Sequence, residues 1–158
     1  DSSTKINPPL RSRKDCEALL AGLKDGTIDA VVTDHSPHAV EEKDREYNNA
    51  PSGFPGLETA VGVMLTDLYH EGQLDLPTLV SKMSYEPAKL LGLEAGTLTE
   101  GKSADVTVID PEKEWTVEEK AFYTKGSHSP FAGRKLKGKA VMTIVNGRVV
   151  MRDGRVVE

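Results

Sequence analysis

The stretch Val31-Val-Thr-Asp-His-Ser-Pro-His38 sets a carboxylate and two imidazoles close together, directly after an apolar run. Carboxylate and imidazole are ligands suited to zinc, and a metal-activated water needs a nearby base to receive its proton. Asp34 can act as ligand, base or both, and Pro37 stiffens the turn that would bring His38 back over the same place. A plainer role also fits, in which Asp34 caps a loop and the two histidines are solvated. D-x-x-x-H is a short and common pattern.

Two further stretches carry polar groups of interest. In Lys5-Ile-Asn-Pro-Pro-Leu-Arg11, Asn7 offers both a donor and an acceptor to an amide or ureide, and Arg11 can pair with a carboxylate. Without such a ligand the stretch is a loop anchored by two prolines. In Pro51-Ser-Gly-Phe-Pro-Gly56 the glycines allow close approach of the backbone to a ligand, or simply form the turn before a helix at Leu57.

These stretches need elements to position them. Ser12 and Asp15 form a capping box, followed by Cys16, Leu19, Leu20 and Leu23 on one helical stripe, with Gly26 as the stop. Residues 29–34 are short, apolar and β-branched without alternation, which suits a strand buried on both faces in a parallel sheet. A loop over 35–56, charged in its middle, leads to a second helix through Leu57, Ala60, Val61, Met64, Leu65 and Leu68. Its length marks it as functional or disordered. Asp75 caps a third helix, and Pro87 opens a short fourth that ends at Gly92. Beyond residue 96 the pattern turns to strands at 105–110, 140–145, 148–151 and 155–157. Asn146-Gly147 and Asp153-Gly154 are hairpin signals between them. The class is therefore α/β, with a helical part over 1–95 and a β part over 96–158. In such folds ligands bind at the carboxyl ends of strands, where Asp34 falls.

A length of 158 residues suits one domain. The net charge of −5 gives no support for a nucleic-acid partner, and no segment reaches the roughly 18 apolar residues of a membrane span. Cys16 stands alone, so it reads as a buried, reduced thiol of a cytoplasmic protein. His70 and His128 read as surface residues. The chain opens on Asp1 with a loop, and we expect it to be the C-terminal part of something longer.

KINPPLR, TDHSPHAVEEK and APSGFPGLET, in this order and spacing, resemble the dihydroorotase family of the amidohydrolase superfamily. GTLTEGKSADVTVID resembles the superfamily segment that returns from the barrel to a small β domain, and FYTKGSHSPFAGRKLKGKAVMTIVNGRVV the closing segment of the bacterial enzymes. The resemblance implies the C-terminal part of a (β/α)8 TIM-type barrel followed by strands of a small β-sandwich domain. It implies a zinc enzyme, with one or two ions, that reversibly cyclises N-carbamoyl-L-aspartate to dihydroorotate. Asp34 matches the residue that is both metal ligand and proton shuttle, accepting a proton from the metal-bridging hydroxide. Asn7 and His38 match substrate-binding positions, and Ser52 and Gly53 match positions whose main chain contacts the pyrimidine ring.

Arg11 and His35 lie within the motifs, but no direct role is assigned to them. The family's H-x-H motif, its bridging carboxylate or carboxylated lysine and two further metal histidines precede NPPLR, and none is in this chain. Alone, the chain is expected to be inactive and to complete a larger structure. The implied partners are the N-terminal part of the same enzyme, the small-molecule substrate, and either further copies or aspartate transcarbamoylase. An inactive scaffold subunit for that transcarbamoylase, or another cyclic amidohydrolase such as an allantoinase or hydantoinase, is the alternative. Allantoinases share DHSP but usually lack the asparagine of NPPLR and have cysteine where His38 stands.

Overall fold

The computed structural model describes residues 1–157. The capping box forms as expected at the start of helix α1 (Arg13–Asp25). The Ser12 hydroxyl accepts from the Asp15 N–H, the Asp15 carboxylate accepts from the Ser12 N–H, and Gly26 closes the helix at φ 86°. The stripe behind the box is another matter. Cys16, expected to be buried, is exposed, and Leu19 is exposed as well. Helical periodicity fixes which side chains share a face, but not what covers that face.

Residues 29–34 also depart from expectation. No strand forms there among the described residues, and Val32 is 80% exposed. A strand is defined by ladder bonds to a neighbour, so an apolar β-branched run without one stays extended but unpaired. The segment is tied instead by the Val31 N–H to the Lys82 carbonyl at 2.9 Å, while Lys82 Nζ donates to the Ile28 carbonyl at 2.5 Å.

Within the 35–56 loop one helical turn, α2 (Val40–Lys43), is held by the Glu42 carboxylate accepting from the Ala39 N–H at 3.1 Å. Helix α3 (Leu57–Met64) runs on into a π turn at Leu65–Tyr69. Asp75 caps α4 (Leu76–Val80) by accepting from the Thr78 N–H, and α4 continues through a second π turn, Ser81–Tyr85, into α5 (Glu86–Leu90). The third and fourth expected helices are thus one continuous run. Pro87 lacks an N–H and crowds the preceding turn, and the wider π turn just before α5 accommodates both defects.

The β part is one antiparallel sheet in the order β1 (Val106–Thr116), β2 (Lys135–Val145), β3 (Arg148–Arg152), β4 (Arg155–Val156). Both expected hairpin turns are present. Asn146 and Gly147 have φ of 48° and 76°, and Asp153 and Gly154 have 49° and 78°, the paired positive values of a tight hairpin. Strands β1 and β2 extend beyond the apolar runs. β1 passes through Pro111 with register shifts, and β2 begins at Lys135 because Leu136 and Gly138 alternate inward between its lysines.

The core lies between α3 and the sheet. Leu65, Leu136, Val117 and Thr59 are fully buried there. Gly62 allows the approach: a Cβ on it would come within 2.8 Å of the Trp115 ring and 3.0 Å of Leu136. Gly138, at φ 105°, receives Leu65 in the same way. On the outer side of this contact, the Arg134 guanidinium grips both oxygens of the Asp67 carboxylate.

Candidate functional site

Three separate segments are laced together by main-chain hydrogen bonds. The Gly53 N–H donates to the Lys5 carbonyl at 2.9 Å, which joins the segment bearing Asn7 to the glycine loop. The Ser36 N–H donates to the Phe54 carbonyl at 3.1 Å, which joins the Asp34–His38 corner to the same loop. A third tie uses a side chain: His38 Nε2 lies 3.0 Å from the Ser52 carbonyl and donates to it, while its Nδ1 is 3.7 Å from Glu42. The segments carrying Asn7, Asp34, His38, Ser52 and Gly53 therefore meet at one place.

Local conformation explains the residue types at the crossing. Gly53 has φ 126°, and a Cβ there would sit 2.7 Å from the Ser36 carbonyl, so only glycine fits. Asp34 is exposed and has φ 43°, in the left-handed region that aspartate tolerates better than most side chains. Asn7, also exposed, precedes a cis peptide to Pro8. Arg11 pairs with Asp15 at 3.4 Å on the surface.

His35, given no role from sequence, anchors the next element. Its Nδ1 accepts from the N–H groups of Gly56 and Leu57, both at 3.2 Å, at the start of α3. Accepting at Nδ1 fixes the neutral tautomer with the proton on Nε2. Helix N-terminal N–H groups otherwise lack partners, so this imidazole serves as a cap.

Lys43 was hidden inside a charged run and is 0% exposed. Its Nζ donates to the carbonyls of Pro51 at 3.1 Å and Gly53 at 2.9 Å. Burial, with Lys5 as a lesser cause, pushes its ammonium below the ordinary lysine range. Such a charge-to-carbonyl bond contributes roughly 1.5–3 kcal/mol where solvent is excluded.

The closing segment backs the corner. Gly126 packs so closely that a Cβ would meet Pro37 at 2.6 Å. The Glu58 carboxylate accepts from the N–H groups of Tyr123 and Thr124, and Phe131 meets Phe54 edge to face at 5.8 Å between ring centres. His128 and His70 are not free surface residues. His128 Nε2 lies 2.8 Å from Asp44, with its Nδ1 3.0 Å from the Ser127 hydroxyl. His70 Nε2 lies 2.8 Å from the Pro111 carbonyl. Both imidazoles hold segments far apart in sequence, a role that local pattern does not show.

Among the described residues no group of three or more His, Cys, Asp or Glu is placed to hold a metal ion. Nor is any helix long and apolar enough to cross a membrane.

The sequence matches the Amidohydrolase family over residues 5–150. The dihydroorotase of Geobacter sp. (strain M21) is 56% identical over 154 residues, spanning 98% of this chain and 36% of that protein. That of Pelotomaculum thermopropionicum is 53% identical over 153 residues, spanning 97% and 36%. Among solved structures, L-hydantoinase (dihydropyrimidinase) from Arthrobacter aurescens superposes with a TM-score of 0.91 at 36% identity, over 98% of this chain and 35% of that one. The chain thus spans about a third of the length of the curated relatives it matches. With the family matched from Lys5 to Val150, across all three laced segments and most of the sheet, the chain belongs to the amidohydrolase family.

Proposed function

We propose that this chain is the C-terminal part of a dihydroorotase, which interconverts N-carbamoyl-L-aspartate and dihydroorotate in pyrimidine biosynthesis. Residues 1–95 then belong to a (β/α)8 barrel, and residues 96–158 to a composite β domain of sandwich type completed by other residues. The observation that carries the proposal is the lacing of the three motif segments through Lys5–Gly53, Ser36–Phe54 and His38–Ser52, which supports a shared site for the segments that bear Asn7, Asp34, His38, Ser52 and Gly53. Relatives 48–56% identical that are named dihydroorotase support the substrate assignment.

In the opening direction Asp34 is the base. It takes a proton from the water whose oxygen adds to the ring amide carbonyl, and passes it to the nitrogen as the C–N bond breaks. In closure the ureido nitrogen attacks the carboxyl carbon, Asp34 receives the nitrogen's proton, and water leaves. The Asn7 amide, the His38 ring and the main chain of Ser52 and Gly53 hold the substrate. The family's chemistry calls for a metal, zinc in our reading, but the described residues do not by themselves form a zinc site. Asp34 supplies one ligand and the others come from outside the chain. Association with aspartate transcarbamoylase or with further copies of the enzyme belongs to the same proposal.

A second reading has a specific source. Solved structures named hydantoinase share the fold at 26–36% identity. Assaying the intact protein for ring closure of carbamoyl aspartate against hydrolysis of hydantoin and allantoin separates the two. Turnover of carbamoyl aspartate is expected; turnover of hydantoin or allantoin alone overturns the substrate assignment. An inactive scaffold has no use for Asp34, Asn7 and His38 together, and it would turn over none of the three compounds.

A further inference from the structure

We propose that Lys43 is a positioning residue that sets the Pro51–Gly53 main chain in the orientation the substrate ring requires. The proposal rests on the dihydroorotase reading of the Ser52–Gly53 main chain as a substrate contact. Three successive carbonyls are fixed by two side chains. Pro51 and Gly53 give theirs to the Lys43 ammonium, and Ser52, between them, gives its own to His38 Nε2. Ser52 lies in a bend and Gly53 has φ 126°, so no strand ladder fixes these carbonyls, and their direction is set by the two side chains that meet them.

The turn α2 carries one clamp, Lys43, and sits beside the other, since Glu42 of the same turn lies 3.7 Å from His38 Nδ1. The Lys43 carbonyl is itself fixed by the Ser2 hydroxyl at 2.6 Å, so the base of the clamp is anchored. A lysine suits the task. Its ammonium is a compact donor with three N–H groups and can serve two carbonyls at once, whereas a planar guanidinium needs more room. Burying a charge is costly, and an apolar side chain of similar length would fill the same space without that cost. What the ammonium adds is direction: it orients two carbonyls that an apolar chain would leave free.

The test uses the full-length enzyme and the variants Lys43→Met and Lys43→Gln, with carbamoyl aspartate as the probe. Lys43→Met is expected to raise KM about 10-fold with kcat within ~3-fold of wild type, the pattern of lost binding rather than lost chemistry. Lys43→Gln, which keeps a donor for one carbonyl, is expected between the two. Amide hydrogen exchange over residues 51–56 should quicken in Lys43→Met while the amides of α3 keep their wild-type protection.

Unchanged KM and unchanged exchange in Lys43→Met overturn the proposal. So does a fall in kcat and melting temperature together without a KM effect, or failure of both variants to fold, since each would give Lys43 to the fold alone. If wild type turns over no carbamoyl aspartate, the functional reading fails, and the exchange measurement still decides whether Lys43 orders the loop.

Discussion

His38 Nε2 holds the Ser52 carbonyl at 3.0 Å, so a side chain of the D-x-x-x-H corner and the main chain of the glycine loop form one unit. Removing the ring should loosen the loop without touching Asp34, the proposed base. His38→Ala in the intact enzyme is expected to raise KM several-fold, with kcat changed less. Steady-state kinetics on carbamoyl aspartate check this, and a loss confined to kcat would give His38 a part in the chemistry instead.

Gly53 supplies a second check on the same crossing. At φ 126°, and with the Ser36 carbonyl 2.7 Å from where a Cβ would stand, Gly53→Ala must shift the loop or strain it. Strain of this kind costs on the order of 1–3 kcal/mol. The variant should raise KM and lower the denaturant midpoint of the intact protein. Wild-type values for both would mean the crossing tolerates displacement.

The Glu112–Lys137 pair on the sheet gives a pH signature. Lys137 Nζ lies 2.5 Å from the Glu112 carboxylate, which that bond holds below the usual carboxylate range, while the same bond holds the ammonium above its own. Because the folded value for Glu112 is depressed, its contribution is present above the unfolded value and is lost as pH falls through the folded one. Because the folded value for Lys137 is raised, its contribution is present below the unfolded value and is lost as pH rises through the folded one. Melting temperatures of wild type and Glu112→Gln should therefore differ most near neutral pH and converge at both extremes. The difference should shrink at high salt, since the pair is solvent-exposed. A difference that stays constant with pH would refute the pairing.

The devices that sequence exposed best are those completed within a few residues. The Ser12–Asp15 box, the Asp75 cap and the two Asn-Gly and Asp-Gly hairpins each need only local geometry, and each is present. What stayed hidden depends on distant partners. The β-branched run at 29–34 has the composition of a strand, but composition supplies no neighbour to pair with. Cys16 and Leu19 lie on a proper stripe, yet a stripe does not bring its own cover. Lys43 sits in the run Glu41-Glu-Lys-Asp-Arg-Glu46, whose natural reading is a solvated surface, and only the fold shows that it alone of that run turns inward. The site segments were legible as motifs, while the bonds joining them, Lys5 to Gly53 and Ser36 to Phe54, run between main-chain groups that carry no residue identity.

The most direct test of the central claim is the turnover of Asp34→Asn in the intact enzyme. The amide keeps the size of the carboxylate but cannot accept and pass on a proton at the reacting nitrogen. Loss of a general base costs about 10²-fold or more. With Asp34 as base, kcat for carbamoyl aspartate cyclisation falls by at least that factor; a kcat near wild type contradicts the account.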